Sequence, residues 1–228
     1  MPSPHPLLQR PRAGNGSHGL TLAIGLVCLT LFGTLASEML GSETQGLDFA
    51  ALHLAQQWRT THPALEAAMR DLSGLGSTTV LTLMTIAAAG YLWMRRQRLR
   101  AAVMAVAMST GALAVAAMKL GFGRARPDPA LAAFVQDGLS FPSGHASLSA
   151  VFFLTLGALL AQAHEGHRVR AYLLVVSAVI AACIGISRVL LGVHWASDVL
   201  GGWAFGAGWA SLWFWASLRL RVARSPTA

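Results

Sequence analysis

The sequence predicts an all-α integral membrane protein with six transmembrane helices, and three observations carry that expectation. Hydrophobic residues make up 54% of the 228 and charged residues only 11%, less than half the share usual in a soluble domain. The charges gather into short clusters, and six charge-free stretches run between them. Each stretch reaches the roughly 17–25 residues that a helix needs to cross a hydrocarbon core. Six such runs leave a soluble bundle too little polar surface to cover itself, and disorder requires low hydrophobicity. The balance of 17 Lys/Arg against 9 Asp/Glu gives a formal net charge of +8. That excess would suit nucleic-acid binding, but the apolar composition argues against such a partner. Cys28 and Cys183 lie in apolar runs and read as small buried hydrophobes, not as a disulfide framework.

The first span, about 18–37, comes from the 25 uncharged residues between Arg12 and Glu38. Its apolar heart, LTLAIGLVCLTLFGTLA, is longer than a signal-peptide core, and no good small-x-small cleavage site follows. A retained helix is therefore favoured over a cleaved leader. The segment 41–73 follows as an outer loop. Within it Leu47, Ala51, Leu54 and Trp58 fall on one helical face, with Asp48, Gln56 and Arg59 pointing elsewhere. Pro63 suits the first turn of a second short helix carrying Leu65, Met69 and Leu72. The loop reads either as an interfacial helix lying on the outer leaflet or as packing against the bundle top.

Asp71 and Arg95 then bracket 23 residues (span 73–94), and Arg100 and Lys119 bracket 18 (span 101–119). His145 and His164 enclose 18 (span 146–163), Arg170 and Arg188 enclose 17 (span 171–188), and Asp198 and Arg219 enclose 20 (span 198–218). No internal repeat or low-complexity tract interrupts them, so 1–228 reads as one domain. The terminal tails read as disordered or membrane-associated.

Orientation follows the positive-inside rule. With a cytoplasmic N-terminus, the inner segments hold 11 cations: Arg10, Arg12, Arg95, Arg96, Arg98, Arg100, Arg168, Arg170, Arg219, Arg221 and Arg224. The outer ones hold 6: Arg59, Arg70, Lys119, Arg124, Arg126 and Arg188. Both termini are expected in the cytoplasm.

Three outer segments are chemically loaded. Lys119 to Pro127 leaves the third span, Phe141-Pro142-Ser143-Gly144-His145 enters the fourth, and Ser187-Arg188 to Asp198 joins the fifth to the sixth. Taken singly, each cation would be an interface snorkeller, PSGH a helix entry, and His194–Asp198 a structural pair. Together they place cations on the side that the orientation rule disfavours, which needs a reason. Lys119, Arg126 and Arg188 supply positive charge, two of them as planar forks that match phosphate oxygens. Ser143 and Gly144 stand where a helix N-terminus favours an anion. His194 and Asp198, four apart, share a helical face, so the carboxylate can fix one imidazole nitrogen and leave the other free to attack. His145 can protonate a leaving alkoxide. The set describes phosphoryl transfer through a histidine. Zinc would want a third ligand and no surrounding cations, so no metal and no cofactor is expected. A serine nucleophile at Ser143 is disfavoured, because His145 two residues on would not face it.

The pattern K-x6-RP, PSGH and SR-x5-H-x3-D resembles the three-part signature of the type 2 phosphatidic acid phosphatase superfamily. Its eleven specified residues are all present: Lys119, Arg126, Pro127, Pro142, Ser143, Gly144, His145, Ser187, Arg188, His194 and Asp198. The signature spans 119–198, and the six-helix layout is similar to the bacterial membrane branch of that family. The family's soluble vanadium haloperoxidases are disfavoured by six spanning helices. The resemblance implies a metal-independent lipid phosphate phosphatase with a phosphohistidine intermediate. By it, His194 is the nucleophile, Asp198 its orienting partner and His145 the acid for the leaving group. Lys119, Arg126, Ser143, Gly144 and Arg188 then form the phosphate cradle, with Arg124 beside the motif but outside the signature. The expected partners are membrane lipids and a lipid phosphate or diphosphate entering laterally from the bilayer. Undecaprenyl diphosphate is preferred over phosphatidylglycerophosphate, phosphatidate or lipid A phosphates. The expected location is the bacterial inner membrane, with the site facing the periplasm or exterior. A lipid phosphotransferase using the same phosphohistidine, and a non-catalytic transport or assembly protein with a degenerate site, are the alternatives.

Overall fold

The computed structural model describes residues 15–223, and those residues contain helices and no strand. The order is α1 (Asn15–Leu40), α2 (Gln45–Thr61), α3 (Pro63–Leu75), α4 (Thr78–Met94), α5 (Arg98–Phe122), α6 (Gly144–Ala161), α7 (His167–Leu190) and α8 (Ala196–Ala223), with a 3₁₀ turn at Pro129–Leu131. Arg10, Arg12, Arg224 and the outermost tail residues, to which the orientation and disorder expectations were attached, lie outside the described residues. The side chain of Arg221 does too.

Four of the helices, α1, α5, α6 and α7, are long and apolar enough to cross a membrane, and α3 with α4 makes a fifth if the bent pair is one span. The expected span over 73–94 is corrected here. Its uncharged run does not form one helix from residue 73: α3 stops at Leu75 and α4 starts at Thr78, bent by 46°. Ser77 causes the restart. Its extended backbone and its side-chain oxygen, which accepts from the Val80 amide at 3.3 Å, make a new N-cap. At 17 residues α4 rises only about 25 Å, so α3 extends its path. α8 is long enough, but Trp203, Trp209, Trp213, Trp215 and several glycines dilute its hydropathy.

α6 sits at the centre and packs on α5, α7 and α8, while α1 lies against α8. Met104, Ala107, Val151, Phe152, Leu159 and Ile184 form the dry core between α5, α6 and α7. Close approach of α8 to α6 depends on Gly206, where a Cβ would sit 2.5 Å from the Ser147 carbonyl oxygen. A second apolar knot joins Phe32, Phe122 and Phe141, with ring centroids 5.8 Å apart for Phe32–Phe141 and 5.0 Å for Phe122–Phe141. It pins the 123–143 connection beneath the ends of α5 and α6, with Phe141 fully buried and the Phe141–Pro142 peptide cis. Outward faces of α1 and α4 expose Leu20, Val27, Leu31, Leu83 and Ile86, the apolar coat that lipid would cover.

The outer loop contains the two expected helices, and α3 begins at Pro63 as its sequence asked. The facing of α2, open between membrane surface and bundle top in the sequence, puts its polar side on the bundle. The stripe of Leu47, Leu54 and Trp58 is exposed, and the buried face is Asp48, Leu52, Ala55 and Arg59. The polar groups win because they have partners: Arg59 donates to the carbonyls of Leu190 and Leu131. α2 thus packs on α7 and α8 through its polar side, as bundle-top packing requires, and turns its apolar stripe outward, as an interfacial helix requires.

Candidate active site

The loaded segments meet at the end of the bundle where α5 leaves, α6 enters and α7 turns into α8. α7 runs to Leu190, so Arg188 sits in its last turn. The chain then reverses through Gly192, whose φ of +71° and closeness to the Leu131 carbonyl exclude a side chain. That reversal delivers His194 just ahead of α8 and Asp198 in its first turn.

His194 Nδ1 lies 3.1 Å from Asp198 Oδ2, and both residues are buried. The carboxylate can only accept a hydrogen bond, so Nδ1–H is the donor and Nε2 carries the lone pair. Burial pushes the His194 imidazole down to about 4, against the opposing hydrogen bond and charge of Asp198, with Arg126 and Arg188 adding to the downward push. At neutral pH the ring is therefore uncharged and nucleophilic at Nε2. Asp198 is held from every side. Oδ1 accepts from Arg124 Nη1 at 2.6 Å, and Oδ2 accepts from the Trp195 amide at 2.9 Å and from Ser140 Oγ.

Around Nε2 the cations gather. Arg126 Nη1 donates to His194 Nε2 at 3.0 Å and to the Val193 carbonyl at 2.7 Å, while its Nε donates to the Gly138 carbonyl at 3.0 Å. Lys119 Nζ donates to the carbonyls of Leu139 and Ser140. Its Cε lies 4.0 Å from the Cβ position of Gly144, which brings the first and second motifs together. Arg188 is 2% exposed and is gripped by Ser73 of α3 and Gln136. Two buried polar atoms here have no partner: Arg188 Nε and Ser143 Oγ. Buried orphan donors are costly unless a ligand takes them, and both suit an anion. Ser143 does not cap α6 with its side chain, and its amide donates to the Asp198 carbonyl at 3.0 Å. That amide is consequently not free for a ligand, in contrast to the expectation for this helix start. The amide of Gly144, at the first residue of α6, has no helical partner.

His145 and Arg188 line a cleft of about 360 Å³ with Arg70, Ser73, Phe134 and Gln136. Arg70 and Arg188 flank Phe134, their guanidinium carbons 5.1 and 5.8 Å from the ring centroid. Among the described residues no three His, Cys, Asp or Glu side chains converge as a metal set.

All eight sequence-derived site residues thus collect at one end of the bundle. Motif reading passed over the residues that hold them: Ser140, Ser73, Gln136 and Asp48, and it left Arg124 outside the signature. Arg124 is the bridge, its Nη2 bonded to Asp48 Oδ2 at 2.6 Å while Nη1 holds Asp198. Its position two residues before Arg126 was the one signal available.

A family model described as PAP2 superfamily matches residues 99–221. Phosphatidylglycerophosphatase B of Bacillus subtilis (strain 168) is 30% identical over 191 residues, 81% of this chain and 88% of that protein. Decaprenylphosphoryl-5-phosphoribose phosphatase of Mycobacterium tuberculosis (strain H37Rv) is 32% identical over 163 residues, 70% of this chain and 85% of the relative. A crystal structure of a transmembrane PAP2-type phosphatidylglycerolphosphate phosphatase from Bacillus subtilis superposes with a TM-score of 0.77 at 26% identity, covering 90% of this chain and 98% of that one.

Proposed function

The chain belongs to the PAP2 superfamily, and from that premise we propose that it is a membrane-embedded phosphatase that removes phosphate from a lipid phosphate or diphosphate through His194, without a metal. The observation that carries the proposal is the His194 pair itself: Nδ1 held by Asp198, Nε2 under Arg126, and the unpartnered Arg188 Nε and Ser143 Oγ close by.

In the first step His194 Nε2 attacks phosphorus, forming the N–P bond as the bond to the leaving oxygen breaks. Arg126 moves its hydrogen bond from Nε2 to a phosphate oxygen, where Lys119, Arg188, Ser143 and the Gly144 amide share the equatorial charge. His145 gives its proton to the leaving oxygen, the substrate's own negative charge offsetting the cations around it. In the second step a water gives a proton back to His145 and attacks the phosphohistidine, releasing phosphate and neutral His194. Asp198 faces the ring throughout and stabilises its cationic phosphorylated form.

The topology that suits this chemistry has six spans, α1, α4 (extended by α3), α5, α6, α7 and α8, in a bacterial inner membrane. Both termini are cytoplasmic and the site faces the periplasm or exterior, where the lipid slides in laterally. The cleft beside His145 lies on the leaving-group side, and two arginines line it. That favours a leaving group with an anion of its own, as in undecaprenyl diphosphate, the preferred substrate, or phosphatidylglycerophosphate, over phosphatidate. The Bacillus relative is named for phosphatidylglycerophosphate.

Purified full-length protein is expected to release phosphate from one or more of these three lipids. The rate should be unchanged in EDTA, and vanadate should compete with the substrate. Activity lost in EDTA and restored by zinc would overturn the metal-free mechanism. Labelled phosphate found on a second lipid, with none released, would make the protein a phosphotransferase. Arg70 is partly exposed and paired with Glu66 at 2.8 Å. Arg70→Gln should therefore raise KM by only about twofold to fivefold for the two-phosphate lipids, the scale of a partly exposed ion pair, and leave phosphatidate unaffected. An equal change for all three lipids would remove the second-anion reading of the cleft.

A further inference from the structure

Asp48 is a carboxylate that the packing of α2 alone does not require to be buried, yet it is 1% exposed. Burying a carboxylate is unfavourable unless its oxygens are hydrogen-bonded, and here both are. Oδ1 accepts from the Ser197 amide at 2.8 Å, and Oδ2 accepts from Ser197 Oγ at 2.7 Å and Arg124 Nη2 at 2.6 Å. Each of those partners leads to Asp198. Ser197 precedes it in the first turn of α8, and Arg124 Nη1 bonds both Ser197 Oγ at 2.7 Å and Asp198 Oδ1 at 2.6 Å. Beside this link Phe49, the next residue on α2, packs edge-on against Trp195 with centroids 5.3 Å apart.

We propose that Asp48 is a positioning residue for the His194–Asp198 pair, acting through Arg124 and Ser197, so that the outer-loop helix completes the catalytic centre from outside the signature. The proposal rests on His194 being the nucleophile.

Two physical effects are at work. Geometrically, Arg124 can orient the Asp198 carboxylate only if its own fork is held, and Asp48 holds the other side. Electrostatically, one guanidinium shared by two buried carboxylates leaves the trio with a net negative charge. Removing the Asp48 charge would leave Arg124 and Asp198 neutral together. The imidazolium that forms when Nε2 bonds phosphorus would then lose part of its stabilisation. The charged and titratable groups around His194 are Asp198 of α8, Arg124 and Arg126 of the 123–143 connection, Lys119 of α5, His145 of α6, Arg188 of α7 and, through Arg124, Asp48 of α2. Of these Asp48 and Asp198 alone are anionic.

The test uses full-length protein in lipid nanodiscs, with Asp48→Asn as the first variant and Asp48→Ser as a second that keeps hydrogen-bonding capacity in less volume. For either, kcat is expected to fall by about tenfold or more, the scale seen when an outer partner of a functional ligand is removed. The acid limb of the pH profile of kcat/KM should move to lower pH, because a charge favouring the imidazolium is gone. Asp48→Glu, which restores the charge, should return the limb towards its wild-type position. Loss of folded protein alone would cut the active fraction without moving the limb. Histidine ring NMR gives the same shift without turnover, with the His194 signal assigned by its absence in His194→Gln. An acid limb and a His194 midpoint both unmoved in Asp48→Asn and Asp48→Ser would overturn the proposal. A wild-type protein that releases phosphate from no lipid overturns the phosphatase reading instead, and the NMR titration then decides Asp48 by itself.

Discussion

His194→Ala is expected to abolish phosphate release, with a loss of at least about 10⁴-fold in kcat, the scale for removing a nucleophile that works as part of a unit. Among the described residues no other group is placed to substitute: Ser143 is buried without a basic partner, and His145 lines the cleft on the leaving-group side. The variant should still fold, because the ring's main contacts are the pair with Asp198 and the hydrogen bond from Arg126, and Asp198 keeps Arg124, Ser140 and the Trp195 amide. Phosphate release measured beside thermal unfolding separates the two effects, and a near-normal rate in folded protein would overturn the mechanism. The wild-type pH profile adds a second expectation. The nucleophile must be unprotonated, and the fraction of protein with a neutral His194 should fall as pH drops through about 4, the value to which burial pushes it, read as the midpoint of its ring signal by NMR. Because the folded-state value lies below the ordinary 6.5, the unfolded chain binds the extra proton first. Stability should consequently decline as pH falls from about 6.5 towards 4.

Asp198→Asn should have the next largest effect, a loss of about 10³–10⁴-fold in kcat. Asparagine has nearly the same shape, but its NH₂ can donate to Nδ1 and so move the ring proton to Nε2, where the lone pair is needed. This variant should also lose stability, unlike His194→Ala. Asp198 is fully buried and shares Arg124 with Asp48, so neutralising it leaves a largely buried guanidinium with one carboxylate in place of two. Removing one partner of a buried pair costs about 3–5 kcal/mol, and Asp48 should hold the loss to the lower end. A kcat within tenfold of wild type would show that Asp198 does not set the tautomer.

Comparison of expectation with structure shows which physical signals a sequence carries. Long uncharged runs translate directly into helices, because hydrophobic length is a local property of the chain. α1, α5, α6 and α7 accordingly appear close to where the runs place them. The break at Gly76 and Ser77 was not legible, since both residues are uncharged and a count of charge passes over them. The facing of α2 stayed open for a related reason. Periodicity identifies an apolar stripe, but it does not reveal that Asp48 and Arg59 have buried partners distant in sequence, in Arg124, Ser197, Leu131 and Leu190. The motif residues were all legible because their types and spacings are specific as a set. Their supports, Ser73, Gln136, Ser140 and Asp48, belong to no pattern, since a hydrogen bond across 50 or more residues leaves no mark in spacing.

By itself, then, the sequence determined that the chain is apolar and helical, and it named the eight residues at the candidate site, because burial length and residue chemistry are written locally. Tertiary structure decided how that site is held. It set the nitrogen of His194 that keeps the lone pair, the orphan donors on Arg188 and Ser143, and the path from Asp48 through Arg124 to Asp198. That path depends on side chains of α2, the 123–143 connection and α8 arriving within 3 Å or so of one another, and only the packed bundle specifies that distance.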